Sequence, residues 1–508
     1  MPSATTKLTG TPLAIDHDIK QDVVHDDDPE ANEHEVDLKG GQEELRTFDP
    51  AFVKRTQRKL DLLLIPLLTM VYLCSSLDKS NLGNAKTLGM VADFGGDASG
   101  DKYALLNAFY YMSYAPFIVP LAILAKRTRM GKTLACCAVF WGIAATAFAG
   151  VNNFAGANAC RFLIGLGEAG YAPLVQLYLS RFYSRQALGS RVAFWLAMAP
   201  MGGFINGIIA YGVAFVTGPL SPWRVLFLLE GGLTLIVAIV AVVILPNDIP
   251  SFRYLTAEEK DYIMYMRAMD YGTEVPKINW SHARGAFYRW QQITPAFINM
   301  AHQTMGAALG AYLPTLMAEN GFKGANAQIA TLGPYGAAAV SMVIGARISD
   351  HYKNRGWVVQ FGGVLSTIGF LIYLVVPSTN HPARFAALIL AEVGHYIAVP
   401  LLTTWVANNA GNESRRAIAV PWGVSLAVGP AVGSGYLFPA KDGPVYVLGS
   451  AICVGLSVFS SVVAGIYQFL IWRENKRRDA EEGGPPALGF RPDVQTYADE
   501  APGYRYIG

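Results

Sequence analysis

Residues 61–86 read DLLLIPLLTMVYLCSSLDKSNLGNAK. From Leu62 to Cys74 the stretch is apolar enough for the interior of a bilayer, yet it runs straight into Asp78-Lys79, Asn81 and Asn84. A charged side chain at the centre of a membrane helix costs about 2.5–3.5 kcal/mol on insertion scales, so such residues face a bundle interior or a wet path. Asp78 and Asn81 are three apart and share a helix face, with Asn84 three further on. Lys79 points about 100° away from Asp78. One reading puts Lys79 or Asn81 at a substrate carboxylate, with Asp78 paired to a basic group on another helix. The other makes this the outer end of a span, where lysine snorkels to water.

The rest of the chain has the same character. It is 52% hydrophobic and 15% charged over 508 residues, with mean hydropathy +0.29. A soluble protein would carry about 25% charged residues. The net charge of +2 suggests no nucleic-acid partner. All five cysteines lie in apolar runs without metal-ligand spacing. A bilayer-spanning helix needs about 20 apolar residues. Twelve stretches qualify: 61–81, 103–125, 133–151, 154–178, 191–215, 224–245, 293–317, 326–349, 357–377, 384–408, 416–438 and 445–472. The expected architecture is an all-α membrane protein of twelve transmembrane helices in two six-helix halves. Its parts are an acidic disordered tail (1–57), a first half (58–246), a central loop with a short amphipathic helix (247–291), a second half (292–473) and a polar tail (474–508). Lysines and arginines flanking the spans divide 26 to six in favour of the side bearing both tails, which places both termini in the cytoplasm. The opening residues contain no apolar signal-peptide core. The box Thr256-Ala257-Glu258-Glu259 marks the start of the central-loop helix.

Other charges remain in the spans. Arg161 and Glu168 are seven apart, nearly two turns, and share a face. Either Glu168 takes up and releases a proton while Arg161 attracts an anion, or the two form a static interhelical pair. Glu230 reads as a structural partner, with a proton site as the alternative. His302 and Gln303 in the seventh span could touch substrate or simply pack. Glu392 and His395, three apart in the tenth, could relay a proton or satisfy each other. Asn408 lies near the cytoplasmic end of that span, as a gating or binding contact. Enzyme motifs are lacking: Met130-Gly131-Lys132-Thr133 mimics the end of a P-loop, but its first glycine would fall on Lys126.

Several of these segments resemble a family. Leu77-Asp78-Lys79-Ser80-Asn81-Leu82-Gly83-Asn84-Ala85 is similar to the first-span signature of the fungal anion:cation symporter branch of the major facilitator superfamily, the allantoate, nicotinate and pantothenate permeases. Arg161 through Gly170 with Pro173 resembles its fourth-span signature, and Trp223-Arg224 through Gly231 its sixth-span entry. Trp405, Asn408-Asn409, Arg415-Arg416-Ala417 and Phe438 through Tyr446 resemble its tenth- and eleventh-span pattern. The resemblance covers roughly residues 50–475. It departs at Lys79, where the branch has arginine, and at Thr128, where the superfamily has an aspartate whose counterpart in the second half is Asp350, with Arg355.

The resemblance implies a major facilitator fold and proton-coupled import of a small organic anion, a vitamin-like carboxylate or ureide acid. It implies no enzyme activity and no cofactor, the driving force being the proton gradient. The expected partners are the lipid bilayer, the anion and protons, for a monomer in the plasma membrane. Glu168 would couple the proton. Arg161, Asp78, Lys79, Asn81, His302, Gln303, Glu392, His395 and Asn408 would bind or gate substrate, and Asp350 and Arg355 would form the cytoplasmic gate. A proton-antiport exporter is the alternative, and a non-transporting nutrient receptor a lesser one.

Overall fold

The computed structural model describes residues 34–37, 44–47 and 48–508, apart from 98, 184, 272–278, 353, 488–489 and 491. Most of the acidic tail therefore lies outside the described residues. Within it, His34–Asp37 pairs antiparallel with Glu44–Thr47, a short ribbon where no structure is expected from the composition.

Eleven helices among the described residues are long and apolar enough to cross a membrane. They are Pro50–Thr87, Asp101–Arg127, Met130–Phe148, Phe154–Leu179, Phe194–Val213 and Pro222–Ile244, then Asn326–His351, Gly356–Val375, His381–Asn408, Ser414–Tyr436 and Val447–Glu482. Between the two groups stands Trp290–Glu319, a 30-residue helix in the place of the seventh span. Its apolar character is diluted by Gln291, Gln292, Asn299, His302 and Gln303. The polar face is largely buried in protein, which is where such side chains go when a helix crosses lipid.

The first span begins at Pro50, ahead of the expected boundary at 58. Pro50 suits a first helical position, and the Asp49 carboxylate accepts from the Ala51 amide at 3.1 Å. The helix then runs 38 residues to Thr87, about 57 Å at 1.5 Å per residue. Asp78 and Lys79 consequently sit two turns inside its far end. This corrects the reading of that segment as the outer boundary of a span.

Packing follows the two halves. In the first, the fourth span lies against the second and third, and the third against the sixth. In the second, the ninth packs on the tenth and twelfth, and the eighth on the tenth. The halves meet where the fifth span touches the eighth and the second touches the eleventh. The central loop forms Ala257–Tyr271. Its capping box is closed both ways, with Thr256 N donating to Glu259 Oε2 (2.8 Å) and Glu259 N to Thr256 Oγ1 (3.2 Å). Glu259 also binds Lys59 Nζ at 2.8 Å, which ties this helix to the first half.

The polar C-terminal tail differs from expectation. The twelfth helix continues to Glu482 with Arg477 paired to Glu474 and Glu481, and residues 494–508 return to pack on the second half. Tyr504 and Tyr506 enter a buried cluster with Trp405 and Tyr467. The tail reads as polar throughout because a pair of tyrosines and one paired aspartate, Asp499, suffice to cover a small apolar patch.

Candidate functional site

The fourth span is broken where the sequence reads Gly167-Glu168-Ala169-Gly170. One helix ends at Glu168 and the next starts at Tyr171, with Gly170 between them at φ +80°, the left-handed region glycine occupies without strain. Discontinuous membrane helices are where transporter sites are built, because the break frees polar groups inside the bundle. Here it presents Glu168, 1% exposed, to the first and second spans. Glu168 Oε2 accepts from Ser75 Oγ (2.7 Å) and Tyr110 OH (2.8 Å), and lies 3.6 Å from Lys79 Nζ. Among the described residues the other oxygen, Oε1, has no hydrogen-bond partner.

Lys79 differs from its neighbours in accessibility. Its side chain keeps 33% of its surface, while that of Glu168 keeps none. Its ammonium also sits 5.2 Å from the centre of the Tyr114 ring. Tyr111 is half-buried beside it, and half-buried Tyr396 of the tenth span lies near Tyr72 and Tyr111. The accessible Lys79 ammonium thus lies among tyrosines of the second span, with one of the tenth nearby.

Arg161 and Asp78 lie behind this pair. Arg161 is 2% exposed and donates from Nη1 to the Asp78 carbonyl at 3.3 Å. Its guanidinium is flanked by the rings of Phe148 and Phe227 at 5.4 and 5.7 Å. The Asp78 carboxylate and that of Glu230 lie near each other, with the Asn81 side chain beside Glu230. Asn81 is fully buried, and its Oδ1 accepts from Asn206 Nδ2 (3.3 Å), which also reaches Ser80 and the Leu77 carbonyl. Asn84 donates to Asn206 Oδ1 at 2.8 Å. These asparagines join the first span to the fifth rather than face open space.

In the second half, His302 is fully buried, with Nε2 2.7 Å from Ser460 Oγ and its ring 6.1 Å from that of His395. Glu392 and His395 do not satisfy each other: among the described residues, both Glu392 oxygens and His395 Nδ1 lack hydrogen-bond partners. Gln303 is half-buried.

Arg355 and Asn408 lie at one end of the molecule. The Asn408 amide oxygen, in its hydrogen-bonding orientation, accepts from Arg355 Nε and Nη2 at 3.0 Å each. Asp350 is 3.8 Å from Arg355 and 72% exposed. These three help line a cavity of about 960 Å³ between the halves, with Pro173, Gln176, Arg347 and Arg416 also on its wall. The opposite end is closed. There Tyr103 OH donates to the Ala311 carbonyl (2.6 Å), Asn107 to Ser434 Oγ (2.8 Å), and Thr87 Oγ1 lies 2.7 Å from the Gln328 amide. Lys86 Nζ stands between the Tyr103 and Tyr312 rings at 4.5 and 4.4 Å.

The structure thus brings together Asp78, Lys79, Arg161 and Glu168, and groups His302 with His395 and Arg355 with Asn408. Sequence reading missed Ser75, Tyr110, Tyr114, Asn206 and Tyr396. For three of them a signal existed: Ser75 is one turn before Lys79 on the same face, and Tyr110-Tyr111-Met112-Ser113-Tyr114 is a polar-aromatic run inside an apolar span.

Comparison with known proteins agrees with this architecture. An uncharacterised transporter of Schizosaccharomyces pombe is 32% identical over 87% of both chains. The high-affinity nicotinic acid transporter of Saccharomyces cerevisiae is 28% identical over 89% of this chain and 85% of its own. Among solved structures, a bacterial homologue of the human lysosomal transporter Spinster aligns with TM-score 0.61 at 14% identity, covering 79% of this chain and 95% of its own. The Escherichia coli xylose transporter XylE aligns with TM-score 0.59 at 13% identity over 80% and 97%. Residues 68–434 match the Major Facilitator Superfamily model, and the chain belongs to that superfamily as a multi-pass transporter of the fungal permease type.

Proposed function

We propose that the protein imports a small organic anion together with a proton by alternating access, from the plasma membrane, as a monomer with both termini in the cytoplasm. The observation that carries this reading is the Lys79–Glu168 pair, in which one partner is accessible and the other enclosed. With Glu168 ionised, Lys79 is held by its own carboxylate. A proton arriving on Glu168 Oε1, the oxygen without a partner, removes that hold and leaves an ammonium free to bind a substrate carboxylate. Proton and anion then load together, and neither the bare anion nor the bare proton completes the cycle. Rocking of the two halves would expose the loaded site to the cavity at the Arg355 end. The named nicotinic acid transporter among the relatives supports a carboxylate as cargo.

The test is uptake of labelled small carboxylates, nicotinate included, by yeast expressing the chain, at external pH 5 and 7, with and without a protonophore. Accumulation stronger at pH 5 and abolished by the protonophore supports the reading. Cell content below that of empty cells would instead point to export. A charge-assisted bond is worth about 1.5–3 kcal/mol, so Lys79→Met should raise KM for the acid by roughly 10- to 150-fold while Lys79→Arg retains most of the affinity. Equal KM values for Lys79→Met and the unchanged protein would remove Lys79 from the site.

The gate makes a separate prediction. The Thr128 hydroxyl is exposed and bonds only locally, to the Leu124 carbonyl and Thr133. Asp350 and Arg355 sit on the cavity wall. Asp350→Ala should therefore slow transport by about tenfold, against less than about twofold for Thr128→Ala. Equal tolerance in an uptake assay would sink this asymmetry.

A further inference from the structure

Residues 494–508 cross the open end of the second half and hold residues of the cavity wall. Asp499 is fully buried and paired with both Arg415 and Arg289. Its second oxygen accepts from Tyr506 OH at 3.0 Å, and Tyr506 OH accepts from Gln291 at 3.0 Å. Tyr504 OH donates to the Asn408 carbonyl at 3.1 Å. The Ile507 carbonyl accepts from Trp405 Nε1 and Asn409 Nδ2, at 2.8 and 3.0 Å, and its amide donates to Asn409 Oδ1 at 2.9 Å. A Gly508 oxygen accepts from the Arg355 amide at 2.8 Å. The backbone fits closely as well. Gly411 has φ +71°, and a Cβ there would come within 2.5 Å of the Asp499 amide nitrogen.

These contacts have a direction. Asn408, Arg355 and Arg416 line the cavity, and Asn409 and Arg415 adjoin them. The segment is gripped on its other side by the twelfth span, where Arg478 Nη1 donates to the Asp499 carbonyl (2.7 Å) and Asn475 to the Tyr506 carbonyl (2.9 Å). That span is peripheral: Val462, Ile466 and Phe469 are more than half exposed. The segment therefore tethers the cavity-lining ends of the tenth and eleventh spans to a helix on the outside of the bundle. A closing movement that bends those ends toward the first half would draw them away from that anchor and break these bonds.

We infer that residues 494–508 are a strap that favours the conformation open at the Arg355 end, with Asp499 as the positioning residue that fixes it. The inference rests on the alternating-access reading, but its main readout needs no substrate. Ala346 lines the cavity. In inside-out vesicles, an Ala346→Cys chain should react with an impermeant thiol reagent above the background of the unsubstituted chain. Adding Asp499→Ala should slow that labelling roughly fivefold or more, whereas Asp499→Glu should retain it and Tyr497→Ala, an exposed neighbour, should not alter it. Gly411→Ala should act like Asp499→Ala with every charge intact. External KM for the substrate should fall with the labelling rate, since a larger fraction of molecules would face outward.

Coupling is reciprocal, so a variant outside the strap tests the same point. A substitution that holds the far end open, Gly83→Val, should reduce hydrogen-exchange protection of the Ile507 amide. Unchanged labelling in Asp499→Ala and Gly411→Ala would overturn the inference, as would unchanged Ile507 protection in Gly83→Val if the strap variants do not reach the membrane. Altered labelling without proton-stimulated uptake would preserve the strap and discard the transport reading instead.

Discussion

Glu168→Gln should abolish uphill accumulation and leave exchange intact. The glutamine keeps an oxygen for the Ser75 and Tyr110 hydroxyls and nearly the same volume, so the broken fourth span should still assemble. It cannot ionise, so Lys79 is never held back from substrate and never released by a proton. Import of a monoanion with one proton is electroneutral and supports about tenfold accumulation per pH unit. From external pH 5 into a cytosol near pH 7, the unchanged protein should concentrate its acid by up to about 100-fold, and Glu168→Gln should bring that ratio close to one. Counterflow of labelled against unlabelled acid should persist in the variant, because it requires binding and conformational change but no net proton movement. Accumulation that stays pH-stimulated and protonophore-sensitive in Glu168→Gln would place the coupling carboxyl elsewhere. Glu392 would then be first to examine, since both its oxygens are buried without partners.

That experiment bears on the part of the site that was legible in the sequence. Charges inside apolar spans are costly, so Asp78, Lys79, Arg161, Glu168 and Glu392 stand out from the amino-acid order alone. Their neighbours do not. Ser75, Tyr110 and Tyr114 are ordinary in membrane helices, and only the convergence of the first, second and fourth spans gives them a role. Asn81 was ambiguous for the converse reason. Polar residues in a span either face a wet path or join helices, and spacing along one helix cannot distinguish these cases. Asn206, the residue that decides it, lies 125 positions away.

The fold was legible because hydropathy and basic-residue placement are strong, additive signals over long stretches. The C-terminal strap was not, because its anchoring is a matter of a few specific partners. Asp499 looks like any tail acid until Arg289 and Arg415 are seen to converge on it. The extent of the first helix escaped for a related reason. Its outer two turns, through Asn84 and Lys86, are polar in sequence yet enclosed by both halves, so hydropathy placed the end too early.

The enclosed outer turns also determine where a single methyl group or two has the largest conformational effect. Gly83 faces Gly310 and Ala311 across the two halves, and a Cβ on it would lie 2.9 Å from each of their carbonyl oxygens. Backbone atoms of a packed helix cannot rotate away, so the closed outer end must loosen to admit a side chain. Gly83→Val should leave each half folded, since the clash lies between halves. Overpacking of this kind costs about 1–3 kcal/mol, which shifts the ratio of outer-closed to outer-open molecules by roughly five- to 150-fold. Net uptake should fall by a comparable factor. Affinity for substrate offered from outside should rise at the same time, because the outward-facing state no longer has to be drawn from a minor population. The opposed changes separate a conformational lock from simple damage, which lowers rate and affinity together. If Gly83→Val transports normally, the contact with Gly310 and Ala311 is not part of the moving interface, and the seal must rest on Tyr103, Asn107 and Lys86 alone.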